Sequence, residues 1–253
     1  MTIPESPIIQ IERRKAIAFI VSALILALAI GGGLVQVGSG FASRSDNGIV
    51  VTGSARTEAT ADNAVWTLSV SLSRPSVSDA VSKVGNDVAA VTKYLADGGI
   101  PAAALTLGPV STYGQEEWVN GNSTGRILNY RASRDITVRT KDVELVSNLS
   151  QEIGSILQTG VSVNNYGPQY YISTLAELRP QLLEEAMKDA KVRAEAITKA
   201  VGGSVGAVTS VRSGVFQVTT PDSTMTSDGG AYDTTTIKKT VTSTVSVTFT
   251  VDN

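Results

Sequence analysis

The side chains that could do chemistry in this chain are few, because none of its 253 residues is cysteine or histidine. That removes disulfides, thiol nucleophiles, thiolate and imidazole metal ligands, and the commonest general base. Carboxylates, lysines, hydroxyls and tyrosines remain. In "LLEEAMKDAKVRAE", Glu184 stands four residues before Lys188, and Asp189 four before Arg193. The spacing is that of ion pairs along a solvated helix face, worth a few tenths of a kcal/mol each, rather than of a carboxylate–lysine site. In "EEWVNG", Glu116 and Glu117 are consecutive. Consecutive strand residues point to opposite faces, so the two do not form an acid–base pair across one bond. The stretch reads as a hairpin tip whose Trp118 is either packed on the domain or offered to a partner. Asp222, Asp228 and Asp233 lie in a polar loop over 219–236, and their spacing misses the EF-hand pattern. A loop this long inside a folded domain reads as either a mobile segment or a contact arm, and its Tyr232 joins Trp118 as a candidate partner contact. The sequence carries no nucleophile elbow, phosphate-binding glycine loop or metal-ligand cluster, so the expectation is a non-enzyme without catalytic, cofactor or metal residues. The balance of charge, −2 with a pI near 5.3, also lacks the basic face that nucleic acid requires.

The elements that must position these residues follow from periodicity. "IVVTGSARTEA" and "NAVWTLSVSLSR" read as strands, the second with Trp66, Leu68, Val70 and Leu72 on one face and Thr67, Ser69, Ser71 and Ser73 on the other. The next stretch places Val77, Val81, Val84, Val88, Val91 and Leu95 on one helical stripe, started by Ser76 with Asp79 and stopped by Gly98, Gly99 and Pro101. "ALTLGPVSTYG" and "RILNYRASRDITVRT" predict two strands around the hairpin region. A helix follows with Val146, Leu149, Ile153 and Ile156 inward and Gly160 as its cap, then the strand "VSVNNYGPQYYIS", where Gly167 and Pro168 mark a bulge or an edge. A long helix over Leu175–Val201 aligns Leu183, Met187, Ala190, Ala194, Ile197 and Val201, with Thr174 and Glu177 as a capping box and Pro180 as a kink near its entry. "GAVTSVRSGVFQV" and "KKTVTSTVSVTFTV" close the chain as strands. The order β-β-α-β-β-α-β-α-β-β predicts an α+β domain: a mainly antiparallel sheet, helices on one face, with a ferredoxin-like β-α-β-β-α-β unit inside it.

Ahead of this domain stands "AIAFIVSALILALAIGGGLV", residues 16–35, uncharged and directly behind Arg13, Arg14 and Lys15. About twenty helical residues span roughly 30 Å, a bilayer's hydrocarbon core. The expected organisation is a cytoplasmic segment (1–15), a transmembrane anchor (16–35) centred on Ile17, Phe19, Ile20, Leu24, Leu26 and Leu28, a small-residue linker (36–48) and the domain (49–253). The positive-inside bias places the domain on the extracytoplasmic, periplasmic side. A signal peptide cut before Ser43 is the competing reading.

Four blocks in order, "VTGSARTEATADNAVWTLSV", "LADGGIPAAALTLGPVSTYGQ", "NYRASRDITVRTKDVELVSNL" and "AMKDAKVRAEAITKAVGGSVGAV", resemble the SIMPL-domain proteins of bacteria. Arg134 stands where that family's block carries an amide. The resemblance implies an exported α+β domain of the cell envelope, homo-oligomers that form rings or hollow shells, and a link to stress tolerance; it implies no catalytic residue. Two functional expectations follow. The first is a membrane-anchored, non-catalytic scaffold that self-assembles or binds other envelope proteins. The alternative is an extracytoplasmic binding protein for a small molecule or envelope polymer, with a groove lined by Tyr166, Tyr170 and Tyr171.

Overall fold

The structure is a computed structural model that describes residues 48–224 and 227–252. The expected anchor and its residues Ile17, Phe19, Ile20, Leu24, Leu26 and Leu28 lie outside the described residues. Among the described residues, no helix is long and apolar enough to cross a membrane. The elements run β1 (Gly48–Thr60), β2 (Asn63–Arg74), α1 (Val77–Asp97), β3 (Leu105–Leu107), β4 (Ser111–Val119), β5 (Asn122–Thr140), α2 (Val143–Glu152), a single turn α3 (Gly154–Leu157), β6 (Val163–Tyr171), α4 (Leu175–Ala200), β7 (Ser204–Ser213), β8 (Gln217–Thr219) and β9 (Lys238–Asp252). The domain is α+β with antiparallel sheets, as the periodicity implies.

The strands divide between two sheets where the sequence suggests one. In the first, β9 is flanked by β1 on one side and by β7 and β8 on the other. In the second, the order is β3-β5-β2-β6, with β4 also paired to β5. The β-α-β-β-α-β unit is the second sheet: β2 and β5 at its centre, joined through α1 and through α2 to the flanking strands. Two strand expectations also split. Gly108 and Pro109 interrupt "ALTLGPVSTYG" between β3 and β4, because proline has no N–H for the ladder. Residues 214–216 separate β7 from β8.

The main core sits between the second sheet and α1 with α2. Trp66, Leu68, Val70, Ile136 and Val138 meet Val84, Val91, Leu95 and Val146, all fully buried. Helix α1 begins as expected, with Ser76 Oγ accepting Asp79 N–H at 3.1 Å. Its first turn departs from the stripe: Val77 and Val81 are exposed, and Ala80 takes the inward position. Arg134 lies on the buried side of β5, and its Nε donates to Gly108 O at 2.8 Å, so this basic side chain fastens the β3–β4 break to β5.

The first sheet buries its inner face under α4. Ala190 and Ala194 face it as expected, joined by Leu182, Ala186 and Thr198; Leu183 and Met187 are half-buried at the side of the contact, and Ile197 and Val201 are exposed. The reason lies at Gly53 on β1. A Cβ there would stand 2.1 Å from Ala186 O and 2.7 Å from Ala190 Cβ, so helix backbone rests on strand backbone and only alanine fits beneath the axis. Asp189, expected on a solvated face, pairs with Arg193 at 2.9 Å and also accepts Ser54 N–H at 2.8 Å, tying α4 to the outer edge of β1. Glu184 and Lys188 form the exposed pair expected of them, at 2.6 Å. The capping box does not form: Thr174 makes no side-chain cap bond, and Pro180 lies within one continuous helix.

Two substitutions with opposite signs test this packing. Gly53→Ala is expected to destabilise the domain by about 1–3 kcal/mol, the ordinary cost of overpacking. Gly85→Ala, in the exposed interior of α1 with nothing within 4 Å of the new carbon, is expected to stabilise it by about 0.5–1 kcal/mol. Thermal or denaturant unfolding of both variants measures the two shifts.

Candidate functional site

Strands β4 and β5 continue past the end of the second sheet. The last residue of β5 that pairs with β2 is Tyr130, opposite Arg74, so Gln115–Asn129 form a two-stranded ribbon on their own. Five residues of β4 at about 3.4 Å each give a projection of roughly 17 Å. Its root is pinned where Ser73 Oγ donates to Gln115 Oε1 at 3.1 Å. Its tip is closed by Asn120 and Gly121, with left-handed φ of 51° and 82°, the two-residue turn whose twist suits a hairpin.

Polar bonds hold the ribbon together. Glu117 accepts from Arg126 Nε at 3.0 Å and from Thr124 Oγ1 at 3.0 Å, and Arg126 with Thr124 holds its carboxyl below the ordinary glutamate range. Glu116 takes the hydroxyl of Ser123 on the other face. The two glutamates therefore point apart and use different partners, as strand alternation requires.

What the ribbon leaves outside is apolar. Trp118 is 65% exposed, and Tyr113, Val119, Ile127 and Leu128 are each about half exposed. Of the two candidate contacts, Trp118 is the free one. Tyr232 is a fastener: its hydroxyl accepts Ile172 N–H at 2.9 Å, and its ring lies 6.0 Å from that of Tyr171. It sits beside β6, the opposite edge of the sheet from β4, so the fold does not bring these two residues together.

Tyr232 belongs to a strap that joins both sheets. Thr234 O accepts Tyr170 N–H from β6 at 2.8 Å, while Val218 of β8 exchanges hydrogen bonds with Ala231 and Asp233. The strap is locked by Lys239, whose side chain is fully buried and donates to Asp233 O at 2.6 Å and Asp233 Oδ2 at 3.0 Å. Burial opposes the charge on Asp233, but hydrogen bonds from Thr236, Thr235 and Lys239 outweigh it and hold the carboxyl well below the usual carboxylate range. Asp233 thus has a structural use that its place in a polar loop did not reveal, because its cation lies six residues away on a strand that reads as solvated at that end.

A trough of about 420 Å³ on the helix-free face of the first sheet is lined by Ser54, Arg56, Gln217, Thr219, Thr240 and Thr242. Ser54, Thr240 and Thr242 have no side-chain bond to a base that would activate a hydroxyl. Of the three tyrosines expected to line a groove, Tyr166 and Tyr170 border one open cleft beside β6, Tyr170 with little exposed surface, while Tyr171 packs against Tyr232 instead. Among the described residues, no three acidic side chains gather to hold a metal ion.

Because Asp233 ionises more readily folded than unfolded, its contribution is complete above the ordinary aspartate value near 3.9 and is lost as the pH falls towards the folded value. Asp233→Asn leaves the Lys239 ammonium buried without its counter-charge and is expected to cost about 3–5 kcal/mol near neutral pH. The loss should shrink on acidification, and Lys239→Met should be milder, which unfolding titrations across pH 2–7 check.

No curated protein matches the chain. Residues 49–249, from the start of β1 into β9, match the family SIMPL, described as a protein of unknown function (DUF541). Both sheets, the ribbon and the strap fall inside that match, and the chain therefore belongs to the SIMPL family.

Proposed function

We propose that this protein is a membrane-anchored, non-catalytic scaffold of the cell envelope, and that its domain self-assembles through the β4–β5 ribbon. One observation carries the reading. A two-stranded ribbon is marginal in water by itself, yet this one exposes apolar side chains on both of its faces, through the consecutive pairs Trp118–Val119 and Ile127–Leu128. Tryptophan in a small apolar cluster with a polar rim is the usual composition of an interface anchor. Glu116 and Ser123 supply that rim beside Trp118, and Glu117, Arg126 and Thr124 do so on the other face.

The apolar segment at residues 16–35 supports the anchoring half of the proposal, with the N-terminus in the cytoplasm and the domain in the periplasm. Tethering many copies to one surface raises their effective concentration, so a contact as small as one ribbon suffices. Contacts with other envelope proteins and a part in stress tolerance extend the same reading and rest on the resemblance of the four sequence blocks.

Light scattering of the full chain in mild detergent should give a mass of several protomers at micromolar concentration. Trp118→Ala is expected to weaken association roughly 30-fold, as loss of a 2 kcal/mol anchor does, without lowering the melting temperature. A wild-type chain that stays monomeric, or a Trp118→Ala variant that assembles equally well, contradicts the scaffold reading. Extraction resistance and intact mass of the chain in native membranes check the anchor separately.

A further inference from the structure

The β6 strand carries a bulge in its pairing with β2. Between the pairs Trp66–Pro168 and Leu68–Asn165, β6 advances three residues while β2 advances two. Gly167, at φ 79°, supplies the left-handed step. Bulges of this kind recur beside binding sites because they re-aim a side chain. The side chain re-aimed here is Tyr166, which is 78% exposed and makes no hydrogen bond or ring contact among the described residues.

The bulge is held rigidly. Trp66, with no exposed surface, donates its indole N–H to Asn165 Oδ1 at 2.8 Å, and the same oxygen accepts Gly167 N–H at 2.9 Å. Asn165 Nδ2 reaches Ser150 O on α2 at 3.3 Å. A core tryptophan thus spends its one polar atom on fixing a solvent-exposed tyrosine two residues away from the sheet's regular course.

Below the tyrosine lies an open cleft of about 510 Å³ between α2, β6 and the strap. Beside Tyr166 its lining combines the apolar Pro168, Ile237 and Tyr170 with the polar Ser147, Gln151, Thr235 and Thr236; no charged side chain takes part. Asp233 holds Thr235 and Thr236 in place through bonds of 2.7 and 2.6 Å. An ionic ligand would enter the cleft without a counter-charge. A flat aromatic ring beside apolar side chains, together with an amide and hydroxyls, fits a molecule with one C–H face and a rim of hydroxyl groups.

We infer that this cleft binds an uncharged pyranose unit of a glycan, stacked on Tyr166 and hydrogen-bonded by Gln151, Ser147 and the strap threonines. The site is independent of the ribbon and stands or falls without it. The test titrates the full chain, in a detergent without a sugar headgroup, with chitotriose, cellotriose and maltotriose, following heat and tyrosine fluorescence. At least one neutral trisaccharide should bind with a Kd of roughly 0.1–1 mM, and trigalacturonate should not. Tyr166→Ala should weaken that binding about tenfold or more, Tyr166→Phe less than about threefold, and Trp118→Ala not at all. No binding of any neutral trisaccharide up to about 10 mM, equal binding of the charged one, or an unchanged Kd in Tyr166→Ala overturns the inference.

Discussion

Two residues hold the two sheets in one arrangement. Strand β1 belongs to the first sheet and β2 to the second, and only Ala61 and Asp62 separate them. Ala61 N–H bonds to Ile237 O at 2.8 Å, continuing the first ladder, while Asp62 N–H bonds to Tyr171 O at 3.0 Å, beginning the second. The Asp62 carboxylate then takes Ser173 N–H at 2.7 Å and the Ser173 hydroxyl, and these bonds hold its pKa below the usual value. A chain that changes sheets in two residues has almost no freedom in how the sheets meet. The strap, the cleft beneath Tyr166 and the entry to α4 all lie at this joint and inherit its geometry.

Each sheet solves the burial of its face differently. The second uses large side chains, with Trp66 and Leu68 under α1 and α2. The first uses close approach: Gly53 against Ala186 and Ala190 brings α4 down onto β1 until little side-chain volume remains. A helix so placed also guards β1, an edge strand thirteen residues long, because Asp189 occupies one of its outward N–H groups. Pairing of β1 with β9 from Gly48–Thr250 to Thr60–Lys238 ties the start of the domain to its end. Folding therefore closes the longest loop in the domain, a slow step by chain topology.

Against this rigid frame, the features offered outward stand out by contrast. The ribbon extends one edge of the second sheet and the bulge distorts the other, so Trp118 and Tyr166 sit on opposite sides of the same sheet. Both are backed by polar bonds that hold the backbone while the ring stays in solvent. In the ribbon these bonds are the charged set around Glu117; in the bulge they run through Asn165 to a buried indole. Exposed aromatics held this way lose little further entropy on binding.

Much of the fold was legible from local order. Strand and helix periods, the Ser76 cap, the hairpin tip after Trp118 and the bulge or edge marked by Gly167 and Pro168 depend on neighbours within a few residues, and each appears near its expected place. The lack of cysteine and histidine likewise limited the chemistry before any coordinate was known. What the sequence could not decide was pairing at a distance: that β9 joins β1 and β7 rather than extending the other sheet, and that α4 comes down on β1 with Ala186 beneath its axis and Ile197 and Val201 outside. Those outcomes rest on which surfaces fit at van der Waals distance, as the contact at Gly53 shows, and steric fit between segments more than a hundred residues apart leaves no periodic mark on either one.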